Sequence, residues 1–236
     1  MLNTHDFLRK AQRRLPKMVF DYVAGGADDE HGLARNKTAF DQFEFRPKRL
    51  VDVSQRSMEM TLWQKQFAMP VYVSPTGLNG ILWPQGDAAL SRAAANAGIP
   101  FALSTASNMS IEEIAKAGDG EKWFQLYVLH RDIADAMCSR AFNAGYQALI
   151  LTVDVPVNGN RERDHRNNFG LPIKYRIPTI IDSLSHPGWL WQVLRYGSPK
   201  LRNFETLESP SLEAQAAVAP RNGRQLRLRG SEASAR

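Results

Sequence analysis

Residues 100–154, PFALSTASNMSIEEIAKAGDGEKWFQLYVLHRDIADAMCSRAFNAGYQALILTVD, alternate short apolar segments with longer segments of helical periodicity. The apolar segments at 100–104, 123–127 and 148–153 predict β-strands, and the segments between them predict helices. Strands that alternate with helices in this way form right-handed β-α units whose strands run parallel. This stretch therefore predicts an α/β fold built on a parallel sheet.

The same alternation begins before this stretch. Met69–Pro75 predicts an earlier strand, and Asp87–Ala97 predicts the helix that follows it. Within the stretch, Ser110 and Glu113 have the spacing of a capping box, which begins a helix, and Arg131–Asn143 predicts another helix. Four β-α units are thus expected in all.

The first 60 residues predict helices and no strand. Helices are expected from Thr4 to Arg14, from Lys17 to Ala24 and from Gly32 to Phe40. Pro16 suits the start of the second helix, because proline tolerates the beginning of a helix but not its interior. Phe45–Ser57 mixes proline, basic and apolar residues, so we expect it to wrap a surface.

The composition is that of a globular protein, with 43% hydrophobic and 23% charged residues. No long uncharged apolar run predicts a transmembrane helix, and the N-terminus lacks the basic and apolar regions of a secretory signal. The single Cys138 cannot form an internal disulfide, so we expect a reducing compartment and a packing role for its thiol.

A net charge of +6 raises the alternative of a nucleic-acid-binding protein. The segment 219–236 carries five arginines against one glutamate, which is +4, and this leaves +2 for the other 218 residues. The basicity belongs mainly to a short tail, so no nucleic-acid partner is expected.

Small polar residues follow each predicted strand. Ser74–Gly77, Ser104–Ser107, Gln125 and Thr152 all come at strand C-termini, which is where α/β folds bind ligands. Ordinary capping and turn chemistry is the alternative, and it explains the serines better than a glutamine that leaves a buried strand. The sequence therefore favours a binding site at this end of the sheet.

Six ordered motifs resemble the FMN-dependent 2-hydroxy-acid oxidase and dehydrogenase family over about residues 1–218. They are LPKMVFDY with GGA, PTG, LST, WFQLY, LTVD and NGNRERD, at positions 15–27, 75–77, 103–105, 123–127, 151–154 and 158–164. In detail they are most similar to the members that oxidise mandelate. The resemblance implies a partial TIM (β/α)8 barrel, about its first four β-α units, preceded by a helical segment. It also implies FMN-dependent oxidation of a mandelate- or lactate-like L-2-hydroxy acid to the 2-oxo acid.

The resemblance assigns six residues at the strand ends to the flavin. Three form a backbone segment that would lie against the flavin ring, and the side chains of the other three would hydrogen-bond the ring's polar edge. The two groups are Pro75, Thr76 and Gly77, and Ser104, Gln125 and Thr152.

The resemblance also assigns Tyr22, Tyr127 and Arg161 to the substrate. An arginine presents a planar fork that matches a carboxylate. Tyr22 would add a hydrogen bond to the same carboxylate, and Tyr127 would bond the substrate hydroxyl. From the residues alone, Arg161 belongs equally well to a solvated charged run, and Tyr22 to the core.

The proton acceptor of the family is a histidine in a His-Gly-Gly-Arg-like motif, and none of the five histidines of this chain lies in one. No catalytic residue is therefore assigned, and no metal site is expected. We expect the chain to be the N-terminal half of the enzyme, inactive alone, with a frameshift near Ala219 as the cause. The alternative is a non-catalytic fragment or interaction relic without flavin activity.

Ile177–Leu207 collects tryptophan, leucine and isoleucine residues edged by cations, a pattern typical of the membrane interface. Membrane-bound members of the family carry an insertion here. We therefore expect a cytoplasmic protein, peripheral on the inner face of the membrane, with a quinone-type electron acceptor and a homo-oligomeric parent. A lid over the site or a subunit contact is the alternative.

The expected organisation thus has four segments. They are an N-terminal helical segment (1–60), the first half of an FMN-binding barrel (61–176), the inserted membrane-type segment (177–210), and the start of a next segment with an aberrant basic tail (211–236).

Overall fold

The structure is a computed structural model that describes residues 2–128, 130–153, 159–170 and 176–205. Its N-terminal part is helical, as the sequence predicts. The elements are α1 (Thr4–Arg14), α2 (Lys17–Ala24), α3 (His31–Thr38) and a 3-10 helix at Ala39–Gln42. Four features lie outside the described residues: Asp154, the predicted end of the insertion at Leu207, the basic tail, and the position near Ala219 where a frameshift is expected.

Capping residues set the bounds of the first two helices. The side chain of Asn3 accepts a hydrogen bond from the backbone N–H of Asp6, and this satisfies one free donor at the start of α1. Pro16 precedes α2, and the chain leaves the helical conformation at Gly25. Phe45–Ser57 forms no helix or strand and is exposed.

A parallel sheet follows, and it confirms the α/β fold class. A hairpin of β1 (Met60–Leu62) and β2 (Lys65–Phe67) precedes the sheet, with the short helix α4 (Asn79–Leu82) and α5 (Gly86–Asn96). The sheet has the order β3 (Phe101–Ser104), β4 (Lys122–Tyr127) and β5 (Ala148–Thr152), all parallel. Helices α6 (Ile111–Ala115) and α7 (Arg131–Asn143) connect these strands.

The strand predicted at Met69–Pro75 is reduced to a single bridge. Only Val73 pairs with β3, through a parallel bridge to Phe101. The N–H of Val73 donates to the carbonyl of Pro100 at 2.9 Å, and its own carbonyl accepts from Ala102 at 3.0 Å. At the next positions facing β3, Pro75 lacks an N–H and the N–H of Val71 donates to the carbonyl of Met69 at 2.9 Å, so the ladder is not extended.

The predicted insertion is helical. After α8 (Glu162–Asn167), it contains α9 (Ile177–Leu184), α10 (Pro187–Tyr196) and α11 (Arg202–Glu205). The membrane-interface pattern predicted for Ile177–Leu207 includes Trp189, and for this residue the prediction is wrong. Its side chain is only 1% exposed, and its indole N–H donates to the carbonyl of Ile81 at 2.8 Å. Among the described helices, none has the length and apolar character needed to cross a membrane.

A bidentate ion pair joins α6 to α7. The Nε and Nη2 groups of Arg140 each donate to one oxygen of Glu112 at 2.8 Å. The Arg140 guanidinium lowers the pKa of Glu112 to about 2. The predicted capping box of Ser110 and Glu113 is confirmed at the start of the same helix.

Replacing Glu112 with Gln should lower the melting temperature at pH 7 by about 2–4 °C, since an ion pair that is partly exposed contributes modestly to stability. The pKa of Glu112 is lower in the folded chain than in the unfolded chain. The contribution of ionised Glu112 to the free energy of unfolding is therefore full above the ordinary carboxyl pKa. It disappears as the pH falls towards 2. Thermal melts of both proteins between pH 7 and 2 should converge at the acidic end. A constant difference at every pH would contradict this assignment.

Candidate functional site

Three polar side chains lie side by side at the carboxyl ends of the parallel strands. The Oγ of Ser104 on β3 donates to the Oε1 of Gln125 on β4 at 3.2 Å. The Nε2 of Gln125 donates to the Oγ1 of Thr152 on β5 at 2.8 Å. Ser104 and Gln125 are buried and Thr152 is half-buried. The structure thus brings together three of the sequence-predicted residues as one hydrogen-bonded polar row.

Thr105 supports the polar row, and the sequence analysis assigned it no role of its own. Its hydroxyl donates to the carbonyl of Gln125 at 2.6 Å and accepts the N–H of Tyr127 at 3.1 Å. Its N–H donates to the Oε1 of Gln125 at 3.3 Å. The hydroxyl bonds hold the ends of β3 and β4 together, and the N–H bond contacts the side-chain amide of Gln125. The sequence signal that could have indicated this role is the hydroxyl of Thr105, which follows Ser104 at the end of a buried strand.

The segment Pro75–Gly77 lies beside this row. A Cβ placed on Gly77 would be 3.1 Å from the Cβ of Ala106 and 3.8 Å from the Oγ of Ser104. The N–H of Leu78 donates to the carbonyl of Ala106 at 3.0 Å. Glycine at position 77 therefore lets the two chain segments approach each other closely at the end of β3.

Tyr22 and Arg161 form a second group, although 139 residues separate them in the sequence. The Arg161 guanidinium carbon lies 5.1 Å from the centre of the Tyr22 ring, and its Nη2 donates to the Tyr22 carbonyl. Its Nε donates to the Oδ2 of Asp164 at 2.5 Å. These two bonds use two of the five N–H groups of a guanidinium. Arg161 is thus held against Tyr22 rather than in a freely solvated charged run.

The Tyr22 hydroxyl stays protonated in this setting. Burial raises the pKa of Tyr22 and outweighs the opposing effect of the Arg161 charge. The Tyr22 ring also contacts Phe169, with ring centres 4.5 Å apart. A protonated phenol beside a guanidinium is a donor set that suits a carboxylate.

Buried Asp21 anchors the helix that carries Tyr22, a role that no sequence motif predicted. Its carboxylate accepts hydrogen bonds from Lys17 and from the Nδ2 of Asn167 at 2.7 Å, and Arg163 lies 3.8 Å away. Burial opposes ionisation of Asp21, but these partners prevail and lower its pKa. The charges around α2 and α8 are therefore paired with one another.

Tyr127, the third residue predicted to bind substrate, ends β4. It is half-buried and pairs in register with Thr152 on β5, so it lies at the same end of the sheet as the polar row.

Comparisons with known proteins find relatives of this chain. The profile of the FMN-dependent dehydrogenase family matches residues 11–227. The chain is 52% identical to the (S)-mandelate dehydrogenase of Pseudomonas putida over 221 residues, which are 94% of this chain and 56% of that protein. It is 40% identical to a putative L-lactate dehydrogenase of Mycobacterium tuberculosis (strain ATCC 25618 / H37Rv) over 195 residues, 82% of this chain and 47% of that protein.

A solved structure is similar over nearly the whole chain. It is described as the crystal structure of the monotopic membrane protein (S)-mandelate dehydrogenase, and it superposes with a TM-score of 0.87 at 52% identity. The match covers 92% of this chain and 58% of that one. The chain thus spans about half the length of the relatives it matches.

Proposed function

This chain belongs to the FMN-dependent dehydrogenase family, and we propose that it forms the flavin-ring and carboxylate side of a 2-hydroxy-acid dehydrogenase. The reaction proposed for the intact parent is oxidation of an L-2-hydroxy acid to the 2-oxo acid. The observation that carries this proposal is the hydrogen-bonded row of Ser104, Gln125 and Thr152 beside the Pro75–Gly77 segment.

The residues at the strand ends fit a flavin. The isoalloxazine edge carries carbonyl oxygens and ring nitrogens, and the row offers two hydroxyls and an amide that can donate or accept. Pro75, Thr76 and Gly77 carry no bulky side chain at the close approach, so their backbone could lie against the ring. FMN, the cofactor of this family, accepts two electrons from substrate when bound.

Tyr22 and Arg161 would hold the substrate carboxylate, and Tyr127 would orient its hydroxyl. Support comes from the contact of the Arg161 guanidinium with the Tyr22 ring, together with the raised pKa of the Tyr22 hydroxyl. A mandelate-like substrate is proposed, because the relative at 52% identity is an (S)-mandelate dehydrogenase. Lactate-like acids are the second candidate, from the relatives described as L-lactate dehydrogenases.

The proposed architecture of the parent is a TIM (β/α)8 barrel in which this chain supplies the first β-α units. Strand β5 supports this proposal, because Leu149 and Leu151 are 50% and 54% exposed. They pair in register with buried Phe124 and Leu126 on β4, so they continue its apolar face. A parallel sheet is normally covered on both faces, so further β-α units are proposed to pack against β5.

The proposed organisation of the chain has four segments: a helical segment at 1–60, half a barrel at 61–176, an insertion at 177–210, and the start of a next segment with a basic tail at 211–236. The α9–α10 part of the insertion is the proposed membrane contact. Ile177, Ile180, Ile181 and Leu184 are spaced as one helical face, and all four are exposed on α9.

The opposite face of α9 is polar and packs on the protein. Ser183 is buried there, and Asp182 accepts the N–H of Lys17 at the start of α2 at 2.6 Å. An outward apolar face suits the membrane interface, and the similar solved structure is described as a monotopic membrane protein. We therefore propose a cytoplasmic, peripheral location on the inner membrane face, with a quinone-type acceptor and a homo-oligomeric parent.

These 236 residues are proposed to be inactive by themselves, because their sequence holds no histidine in the motif that supplies the proton acceptor. A non-catalytic fragment or interaction relic without flavin activity is the competing candidate. The purified chain should carry substoichiometric flavin or none and show no turnover with mandelate or lactate. It should nevertheless bind added FMN.

Gln125→Leu should raise the dissociation constant for added FMN by about tenfold or more, since the central amide of the polar row is lost. Quenching of flavin fluorescence measures this binding. Gln147→Leu is the matched control, because Gln147 is exposed at the amino end of β5. If the wild-type chain does not bind FMN, or both variants bind it equally well, the proposed flavin site is wrong.

A further inference from the structure

The carboxyl group of Asp87 is buried behind the Pro75–Gly77 segment. Asp87 is 1% exposed and belongs to α5. Its Oδ1 accepts the Nδ2 of Asn79 at 2.6 Å, and its Oδ2 accepts the Oγ of Ser107 at 2.5 Å. Both partners are neutral, and burial raises the pKa of Asp87. Burying a carboxyl group is costly, and the two hydrogen bonds offset this cost.

Asn79 connects Asp87 to the proposed flavin segment. The same Nδ2 group that donates to Asp87 also donates to the carbonyl of Thr76 at 3.2 Å. Asn79 is itself buried. A primary amide has two N–H groups, so one can go to each oxygen. Asp87 thereby fixes the amide orientation that holds the Thr76 carbonyl.

Ser107 connects Asp87 to the segment that follows β3. Its Oγ donates to Asp87 and accepts the N–H of Met109 at 2.9 Å. The preceding residue, Ala106, is the one whose Cβ and carbonyl contact Gly77 and Leu78. Asp87 is therefore hydrogen-bonded to both segments that meet beside the polar row.

Helix capping does not explain this arrangement. Asp87 lies in the first turn of α5, where a carboxylate often bonds the free N–H groups of the helix. Here both carboxyl oxygens accept side-chain donors from other segments. The residue at the cap position is Gln85, and it makes no side-chain cap hydrogen bond.

We propose that Asp87 is a positioning residue for the flavin. Through Asn79 it fixes the Thr76 carbonyl, and through Ser107 it fixes the facing segment, so that the Pro75–Gly77 backbone is held ready for the ring. This inference rests on the proposed function, since it assumes that Pro75–Gly77 meets the flavin.

Hydrogen–deuterium exchange of the full chain tests the inference without requiring activity. Asp87→Ala should speed exchange of the amides at 76–80 about tenfold, while exchange at 122–127 on β4 stays unchanged. Asn79→Ala should have the same effect, and the double variant should add little to it. Asp87→Asn should stay within about twofold of wild type, because an asparagine can accept from Asn79 and donate to Ser107. Asp132→Ala, at an exposed aspartate in the first turn of α7, is the matched control.

Millimolar FMN supplies the second arm of the same experiment. It should slow exchange at 76–80 in the wild type and in Asp87→Asn but not in Asp87→Ala. Unchanged exchange at 76–80 in Asp87→Ala overturns the positioning role, whatever FMN does. Equal protection by FMN in Asp87→Ala overturns the link to the flavin. If FMN does not slow exchange at 76–80 in the wild type, the proposed function is contradicted. The proposed link between Asp87 and the flavin is then contradicted as well. The exchange without FMN still decides whether Asp87 holds the segment.

Discussion

Replacing Trp189 with Ala should lower the free energy of unfolding by about 3–5 kcal/mol, the typical cost of removing a large buried aromatic side chain. The indole of Trp189 is almost fully buried, and its N–H donates to the carbonyl of Ile81 at 2.8 Å. The substitution leaves a cavity and an unpaired carbonyl where the insertion docks on α4. Urea unfolding followed by circular dichroism measures the change.

Trp191→Ala is the matched control for this experiment, two residues away on the same helix. Trp191 is 63% exposed, so its loss should change the free energy of unfolding by less than about 0.5 kcal/mol. Equal effects of the two substitutions would show that α10 does not dock on the fold through Trp189. Trp189→Phe should fall between them, because it keeps most of the packing but loses the hydrogen bond.

The double variant Trp191→Ser with Leu194→Ser should lose most of its binding to lipid vesicles. Both side chains are exposed on α10. Burial of one such side chain in an apolar phase contributes about 1.5–3 kcal/mol. Loss of the pair should therefore weaken vesicle binding by about a hundredfold or more. Co-sedimentation with liposomes measures this binding.

A matched pair elsewhere on the surface provides the control for vesicle binding. Trp63 and Leu50 are also exposed, and they lie outside the insertion. Trp63→Ser with Leu50→Ser should leave co-sedimentation unchanged. Equal binding by the wild type and the Trp191 and Leu194 variant would rule out α10 as the membrane contact.

Local sequence signals predicted most of the helices correctly. Asn3, Pro16 and the pair Ser110 and Glu113 act within a few residues of themselves, and all lie where the helix starts were expected. The strand at Met69–Pro75 failed for a local reason as well, because Pro75 removes a donor that the ladder needs and the N–H of Val71 bonds within its own segment. An apolar run with such flanks forms a single bridge instead.

The site was only partly predictable from the residues. Polar residues after parallel strands predicted the row of Ser104, Gln125 and Thr152, which the structure contains. The approach of Arg161 to Tyr22 depends on a long-range contact, so only the family resemblance pointed to both residues.

The sequence did not predict which side chains are buried where tertiary contacts decide their burial. Trp189 and Trp191 look alike in the sequence, but one packs on Ile81 and the other is exposed. In the sequence, Asp87 resembles an ordinary aspartate in the first turn of a helix. In the structure, Asn79 and Ser107 both donate hydrogen bonds to its carboxyl group.

We propose that this chain carries the flavin-ring and carboxylate side of a 2-hydroxy-acid dehydrogenase. A chimera tests this proposal, with residues 11–205 of this chain replacing the matching part of the (S)-mandelate dehydrogenase of Pseudomonas putida. The measurement is the flavin absorbance of the purified chimera during titration with (S)-mandelate. We expect bound FMN that is bleached by substrate, and a need for about a hundredfold more mandelate when Arg161 is replaced by Met. A folded chimera without FMN, or one that mandelate bleaches equally well with and without Arg161, would contradict it.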